Sequence, residues 1–195
     1  MKDHTKIEIY SWLKAIAFAF IITIICKLFI FTPTTVFGES MSPTFQDEDR
    51  VVVSKMSDIQ RFDVIVFAAP DIEGEHYIKR VIGLPGDRIE MKEDMLYING
   101  EALQEPYLKE NKDNNILNKL TEDFSLKEKT GVSKVPEGML FVMGDNRLKS
   151  KDSRIFGYVS CDAVIGEVKF RYYPLQEIGI PRWIDFNKSK EEEEL

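Results

Sequence analysis

An apolar run near the N-terminus constrains this chain more than any other feature. Residues 15–31 read AIAFAFIITIICKLFIF, and Lys27 is the one charged residue among them. With Trp12 and Leu13 the run approaches the roughly 20 residues that a membrane-spanning helix needs. Lys27 lies near the end of the run, where its side chain can reach the membrane interface. The sequence therefore predicts one transmembrane anchor over residues 15–31.

Two alternatives compete with an uncleaved anchor. A cleaved secretory signal peptide needs small residues of the A-x-A type soon after its apolar core. After Ala19 the next alanine is Ala68, which argues against such cleavage. A helix buried in a globular core is the other alternative, and so uniform an apolar run is unusual for one. An uncleaved anchor is the preferred interpretation.

Basic residues flank the run unevenly. Lys2, Lys6 and Lys14 precede it, and after Lys27 the next basic residue is Arg50. The positive-inside rule then keeps residues 1–14 in the cytoplasm and places the following domain outside the cell membrane.

The rest of the chain predicts an all-β domain over residues 32–182, built as folded antiparallel sheets or a small barrel. Asn-Gly at residues 99–100, between apolar runs, is a strong hairpin signal. The predicted strands lie in VVVSK (51–55), RFDVIVF (61–67), HYIKRVIG (76–83), MLYINGEAL (95–103), MLFVMGD (139–145) and AVIGEVKFRYY (163–173).

Two segments differ from these strands in composition. Residues 109–134 are polar and charged with few apolar residues, which predicts a solvated surface excursion; a docking loop for a partner is the alternative. Residues 183–195 end in EEEEL and predict an acidic, solvated tail.

Composition excludes several classes of function. The formal net charge is -7 and no basic stripe is present, which argues against nucleic acid as a partner. The only cysteines, Cys26 and Cys161, are expected in different solvents, so a disulfide between them is not predicted. With His4 and His76 as the only histidines, a zinc site of the Cys/His type is excluded.

A candidate nucleophile stands in GESMSPTF at residues 38–45. A serine hydroxyl needs a neighbouring base to take its proton. His4 precedes the anchor, so the candidate bases outside are His76 and Lys79. Strand alternation places Lys79 on one face with Tyr77 and a valine, where desolvation would lower the pKa of its amine. On pattern alone, a strand lysine more often reaches water.

A second polar segment, GDNRLKSKDSRIFGYV at residues 144–159, lies between two predicted strands. It is either an ordinary polar loop or a buried network that supports a site. A serine hydroxyl in such a network could orient a neutral lysine amine.

Four segments together, in this order and after an anchor, resemble type I signal peptidases (signal peptidase I, peptidase family S26) of the single-anchor Gram-positive kind. The resemblance runs from the anchor to about residue 174. The segments are GESMSPTF, RFDVIVF, YIKRVIGLPGD and GDNRLKSKDSRIFGYV.

The resemblance implies a role for each matching residue. Ser40 is the nucleophile, Lys79 the general base, and Ser150 the hydroxyl that orients the lysine amine. Asp152 and Arg154 form a supporting pair, and Asp145 belongs to the same surroundings. Met41 and Pro43 shape the turn beside Ser40 and, with Tyr77, are expected to contact the substrate. An apolar rim at Met41 and Phe45 is expected to face the membrane.

Gly38 departs from one branch of the family. Some Gram-negative members carry a serine there, whose hydroxyl helps to bind the oxyanion. Here the oxyanion is expected to depend on the Ser40 backbone N–H and a neighbouring donor or water. Gram-positive members resemble this chain at the glycine, so it is not interpreted as inactivating.

The implied function is removal of signal peptides, after small residues of the A-x-A type, from preproteins that emerge from the translocation machinery at the lipid bilayer. No metal or cofactor is required. Two other classes compete. A non-catalytic anchored relative would be expected to have lost Ser40, Lys79 or Ser150, and a self-cleaving Ser-Lys regulator would carry a DNA-binding domain in place of the anchor.

Overall fold

The structure, a computed structural model, describes residues 2–25, 30–114 and 119–180. Within these ranges the helices are α1 (Lys2–Ile25), α2 (Lys109–Asp113), α3 (Leu126–Thr130) and α4 (Ser153–Phe156). The strands are β1 (Phe31–Thr35), β2 (Arg50–Ser54), β3 (Val64–Ala68), β4 (His76–Gly83), β5 (Ile89–Lys92), β6 (Met95–Ile98), β7 (Glu101–Leu103), β8 (Phe124–Ser125), β9 (Met139–Met143), β10 (Val159–Ser160) and β11 (Val164–Tyr173).

The strands form two antiparallel sheets. The larger sheet has the order β1-β2-β11-β3-β4-β9-β10, and the smaller has the order β7-β6-β5-β8. All six sequence segments with strand character contain a strand, so the predicted mainly antiparallel β domain is confirmed. The predicted hairpin is confirmed as well: Leu96 pairs with Leu103, and Asn99 and Gly100 both have positive φ angles, 55° and 91°.

The N-terminal helix α1 has 24 residues. Across the described residues, the structure contains no helix long and apolar enough to span a membrane. The predicted anchor at residues 15–31 falls partly on α1, and residues 26–29 lie outside the described part. Phe31, its last predicted residue, already begins β1. The predicted tail at 183–195 also lies outside the described residues.

Residues 109–134 are more closely packed than the composition predicted. Leu120, Phe124 and Leu126 are buried, and Phe124 pairs with Met91 in the smaller sheet. A capping box between Ser125 and Glu128 begins α3. These three apolar residues reach the core, which explains why the segment is not simply a solvated loop.

Strand β4 crosses all three apolar clusters of the domain. Its Ile82 packs with Phe141, its Ile78 packs with the buried residues of the 38–45 turn, and its Val81 packs with Phe67. Lys79 lies between Ile78 and Val81 in β4 and is itself buried.

Candidate active site

The turn that carries Ser40, residues 38–45, lies between β1 and β2. Buried side chains of the turn fix it on the domain. Met41 and Phe45 are fully buried in one apolar cluster. Two backbone bonds close the turn, from Ser42 N–H to Glu39 O (3.1 Å) and from Phe45 N–H to Met41 O (3.0 Å). The predicted apolar rim at Met41 and Phe45 is wrong, because buried side chains cannot face a membrane. They fix the turn, which leaves Ser40 partly exposed above it.

Lys79 meets Ser40 across 39 residues of sequence. Its Nζ lies 2.7 Å from Ser40 Oγ and donates a second hydrogen bond, 2.9 Å long, to Ile78 O. The lysine is only 4% exposed. The Nζ–Oγ distance is that of a nucleophile and its base. His76, the other candidate base, is exposed at the beginning of β4.

Burial lowers the pKa of the Lys79 amine from 10.5 to about 8, although the nearby Asp152 and Asp145 carboxylates act in the opposite direction. At pH 7, an amine with that pKa is neutral in about a tenth of molecules, against about 0.03% for an unshifted lysine. The surroundings of Lys79 therefore raise the share of the neutral amine, which is the form that could accept the proton of a serine hydroxyl.

Asp145 and Arg80 form a fully buried ion pair beside the dyad. Arg80 donates from Nε (2.8 Å) and Nη2 (2.6 Å) to the two carboxylate oxygens. The Thr44 hydroxyl donates to the same carboxylate at 2.6 Å. Asp145 thus connects the turn at 38–45 to strand β4, which bears Lys79.

Asp152 and Arg154 form the second predicted pair. Arg154 donates from Nε (2.8 Å) and Nη2 (2.7 Å), and Gly144 N–H donates at 3.0 Å. Burial raises the pKa of the Asp152 carboxyl, but the hydrogen bonds and charge of Arg154 outweigh it and hold the pKa below its ordinary value. Asp152 therefore stays ionised and holds the loop after β9.

Ser150 does not make the contact with Lys79 that the resemblance implies. Its Oγ is buried and forms no hydrogen bond of ordinary geometry within the described residues. A weaker interaction with the Asp152 carboxylate helps to lower the pKa of that group. It lies against Gly144: a Cβ at that position would stand 2.2 Å from Ser150 Oγ and 2.4 Å from Ser40 O. Only glycine allows this approach, so Gly144 lies at the site, although it had no predicted role.

The backbone around Gly38 narrows the choice of oxyanion donors. Gly38 has a φ of 80°, a conformation that favours glycine. Its N–H donates to Asp47 Oδ1 at 2.7 Å and is thus engaged within the protein. Among the described residues the Ser40 N–H has no hydrogen-bond acceptor, so it is free to serve as a donor beside the Ser40 hydroxyl.

A groove of about 780 Å³ runs past Ser40 and Lys79. Tyr77 lines it, as predicted, whereas Met41 and Pro43 are not on its wall. Two open strand edges border it. Strand β1 pairs only with β2, and β4 pairs with β9 only from Arg80 onward, so both have an unpaired side within the described residues.

Known proteins resemble both the sequence and the fold. The family model "Signal peptidase, peptidase S26" matches residues 9–173. Signal peptidase I of Bacillus caldolyticus is 48% identical over 157 residues, which are 78% of this chain and 85% of that protein. Signal peptidase IB of Staphylococcus aureus (strain COL) is 42% identical over 180 residues, 88% of this chain and 93% of that protein.

A solved structure agrees with this assignment. The crystal structure of a signal peptidase I from Enterococcus faecalis V583 has a TM-score of 0.55 and 48% sequence identity, covering 57% of this chain and 97% of that one. The family model spans most of the sequence, and two relatives exceed 40% identity over more than three quarters of it. The chain belongs to the peptidase S26 family of signal peptidases.

Proposed function

We propose that this signal peptidase cuts preproteins with a Ser40–Lys79 dyad, after small residues, at the surface of the membrane that its N-terminal helix enters. The observation that carries the proposal is the 2.7 Å distance between Lys79 Nζ and Ser40 Oγ, made by a lysine that is almost completely buried. A serine hydroxyl in hydrogen-bond contact with a buried lysine is expected of an enzyme, and it therefore argues against a non-catalytic relative.

Acylation follows from this geometry. Neutral Lys79 takes the proton of the Ser40 hydroxyl as Oγ attacks the scissile carbonyl carbon. The negative charge that develops on the carbonyl oxygen is stabilised by the Ser40 N–H and a second donor or water. The Lys79 ammonium then protonates the leaving amine, the C–N bond breaks, and the mature protein departs with a new N-terminus.

Deacylation reuses the same groups. Neutral Lys79 removes a proton from a water that attacks the ester carbonyl, and the proton passes to Ser40 Oγ as the C–O bond breaks. The signal peptide leaves as a carboxylic acid that releases its proton to the solvent and becomes a carboxylate, and the dyad returns to its starting state. The steps use the residues of this chain and one water, with no metal or cofactor.

The groove is suited to an extended peptide. A segment in β conformation can hydrogen-bond to an open strand edge, as in other proteins that bind peptides by adding a strand. Shallow apolar recesses along the groove would admit small side chains and exclude large ones by overlap, which gives the A-x-A preference.

The membrane anchor is supported by the surface of α1. Its large apolar side chains from Ile9 to Ile24 are exposed all around the helix, and Trp12 and Phe20 are 71% and 67% exposed. A helix that is apolar on every side and does not pack on its own domain fits a lipid environment. The lysines that precede the run then place residues 1–14 in the cytoplasm and the catalytic domain outside.

Charge placed in the middle of α1 tests the anchor. Phe20→Lys combined with Ile22→Lys should release the protein from membranes under alkaline extraction, since each lysine costs about 2.5–3.5 kcal/mol at the centre of a spanning helix. Tyr10→Lys, on the same helix before the apolar run, is the control and should remain membrane-bound. Equal retention of both variants would contradict the anchor.

The pH dependence of cleavage tests the base. Because the neutral amine of Lys79 accepts the proton, the rate should rise with pH and reach half of its plateau near pH 8, where the lysine pKa lies. Initial rates from pH 6 to 10 at preprotein concentrations well below KM measure this midpoint for the free enzyme. A rate that continues to climb towards the pKa of an unshifted lysine, about 10.4, would contradict burial of the amine.

The activity itself is tested by incubating the detergent-solubilised protein with a preprotein and sequencing the N-terminus of the product. A single cut after an A-x-A segment is the expected result. Cleavage at unrelated positions, or no cleavage by an enzyme that is shown to be folded, would contradict the proposal.

A further inference from the structure

Asn111 lies outside the active site and hydrogen-bonds to two of its segments. One is the turn at 38–45, and the other is the loop that follows β9. It belongs to α2, in the polar segment at 109–134. The sequence predicted a surface excursion there and no part in the active site. Its side-chain Nδ2 donates one hydrogen bond to Ser42 O (3.0 Å) and another to Asp145 O (2.8 Å). The first acceptor lies two residues after the nucleophile, and the second lies in the loop that also carries Ser150.

The chemistry of the contact fixes the orientation of the amide. Both partners are carbonyl oxygens, which only accept, and the amide nitrogen of asparagine carries two hydrogens. With the amide turned around, its oxygen would face two other oxygens. An asparagine at this position therefore uses both N–H groups to bridge the turn and the loop.

The helix that carries Asn111 is anchored firmly enough to act as a support. Leu108, just before α2, is fully buried. The Tyr107 ring lies 3.9 Å from the guanidinium of Arg80. Glu105 forms a buried ion pair with Arg147, which belongs to the same loop as Asp145.

Other contacts join the same two loops directly, among them Asn146 N–H to Ser40 O at 3.1 Å and Thr44 Oγ1 to Asp145 Oδ2 at 2.6 Å. Asn111 adds contacts to both loops from a third segment, helix α2. It is absent from the groove wall, so it is expected to act through these loops and not on the substrate.

We propose that Asn111 is a positioning residue of the cleavage reaction: its amide holds the nucleophile turn against the Asp145 loop, so that Ser40 Oγ stays within reach of Lys79. The inference assigns a role to the segment at 109–134 and rests on the proposed Ser40–Lys79 activity. Small displacements of reacting atoms are costly, since a shift of about 1 Å can reduce a rate by about 10²-fold.

The test is single-turnover cleavage of a preprotein with enzyme in excess, at rising enzyme concentration. Asn111→Ala should lower the plateau rate constant by roughly 10- to 100-fold, as expected for a misplaced nucleophile. Partial unfolding would instead shift the concentration dependence and leave the plateau unchanged. The pH midpoint should stay near that of the wild type, because the surroundings of Lys79 are not altered.

Two further variants complete the design. Asn111→Asp keeps the size but sets a carboxylate oxygen against the two carbonyls, so its plateau should fall at least as far. Asn114→Ala removes the same amide from an exposed position directly after α2 and should match the wild type.

Wild-type plateau rates in Asn111→Ala and Asn111→Asp would overturn the inference, as would an altered pH midpoint with an unaltered plateau. Failure of the proposed activity is a separate outcome: the wild type itself would then not cleave, or Ser40→Ala would cleave equally well.

Discussion

Preprotein cleavage should disappear when either Ser40 or Lys79 is replaced by alanine. In the proposed mechanism Ser40→Ala removes the atom that forms the acyl-enzyme. Lys79→Ala removes the one base that, among the described residues, is in hydrogen-bond contact with Ser40 Oγ. In another serine protease, loss of the nucleophile or its base lowers kcat by about 10⁶-fold. We expect a loss of at least roughly 10⁴-fold in kcat here, measured by the appearance of the mature product with time.

The matched control is His76→Ala on the same strand. His76 is exposed and lines the groove, but Lys79 makes the contact with Ser40. Its replacement should leave turnover near the wild-type value. If Lys79→Ala keeps that turnover while His76→Ala loses it, the assignment of the base is wrong. Circular dichroism of each variant checks that the loss is catalytic and not due to unfolding.

Glu105→Ala should destabilise the domain by about 3–5 kcal/mol, the usual cost of removing one partner from a buried ion pair. The side chains of Arg147 and Glu105 are 0% and 2% exposed. Burial lowers the pKa of Arg147, but the charge of Glu105 more than compensates and the pKa ends above its ordinary value. Without Glu105 the cation stays buried and loses its counter-ion. Urea unfolding of the soluble domain measures the change.

Glu90→Ala provides the comparison for this variant. Glu90 pairs with Lys92 at the surface, where both side chains are about half exposed or more. Exposed ion pairs contribute little, so the unfolding midpoint should not change measurably. Similar midpoints for Glu105→Ala and Glu90→Ala would show that the buried pair does not stabilise the fold.

The parts of this protein that sequence alone could predict are those with local signals. Asn99-Gly100 specifies its hairpin through two positive φ angles, and β-branched runs mark the central strands. Ser40 and Lys79 were identified because their motifs are specific to a family, although alternation along β4 already favoured a desolvated lysine.

The parts that could not be predicted depend on contacts between distant segments. Gly144 lies at the site because Ser40 O and Ser150 Oγ both approach it closely. Asn111 contacts the site because its amide donates hydrogen bonds to two carbonyl groups that are distant in sequence. Neither has a periodic or local signature. The short strand β8 was missed for a related reason. Its two residues, Phe124 and Ser125, are too few to give a strand pattern, and they form a strand because they pair with Met91 and Glu90.

The unpaired edges of β1 and β4 have a consequence for what can be cut. A chain that fills the space between them must be extended and must have its own backbone groups free, which a stretch already folded into a helix or sheet does not offer. Discrimination between unfolded and folded polypeptide is thus a property of the backbone of the groove, separate from the side-chain preference at the cut. Pro33 lies in β1 and has no N–H to donate, so at this residue the strand can only accept a hydrogen bond from a neighbouring backbone.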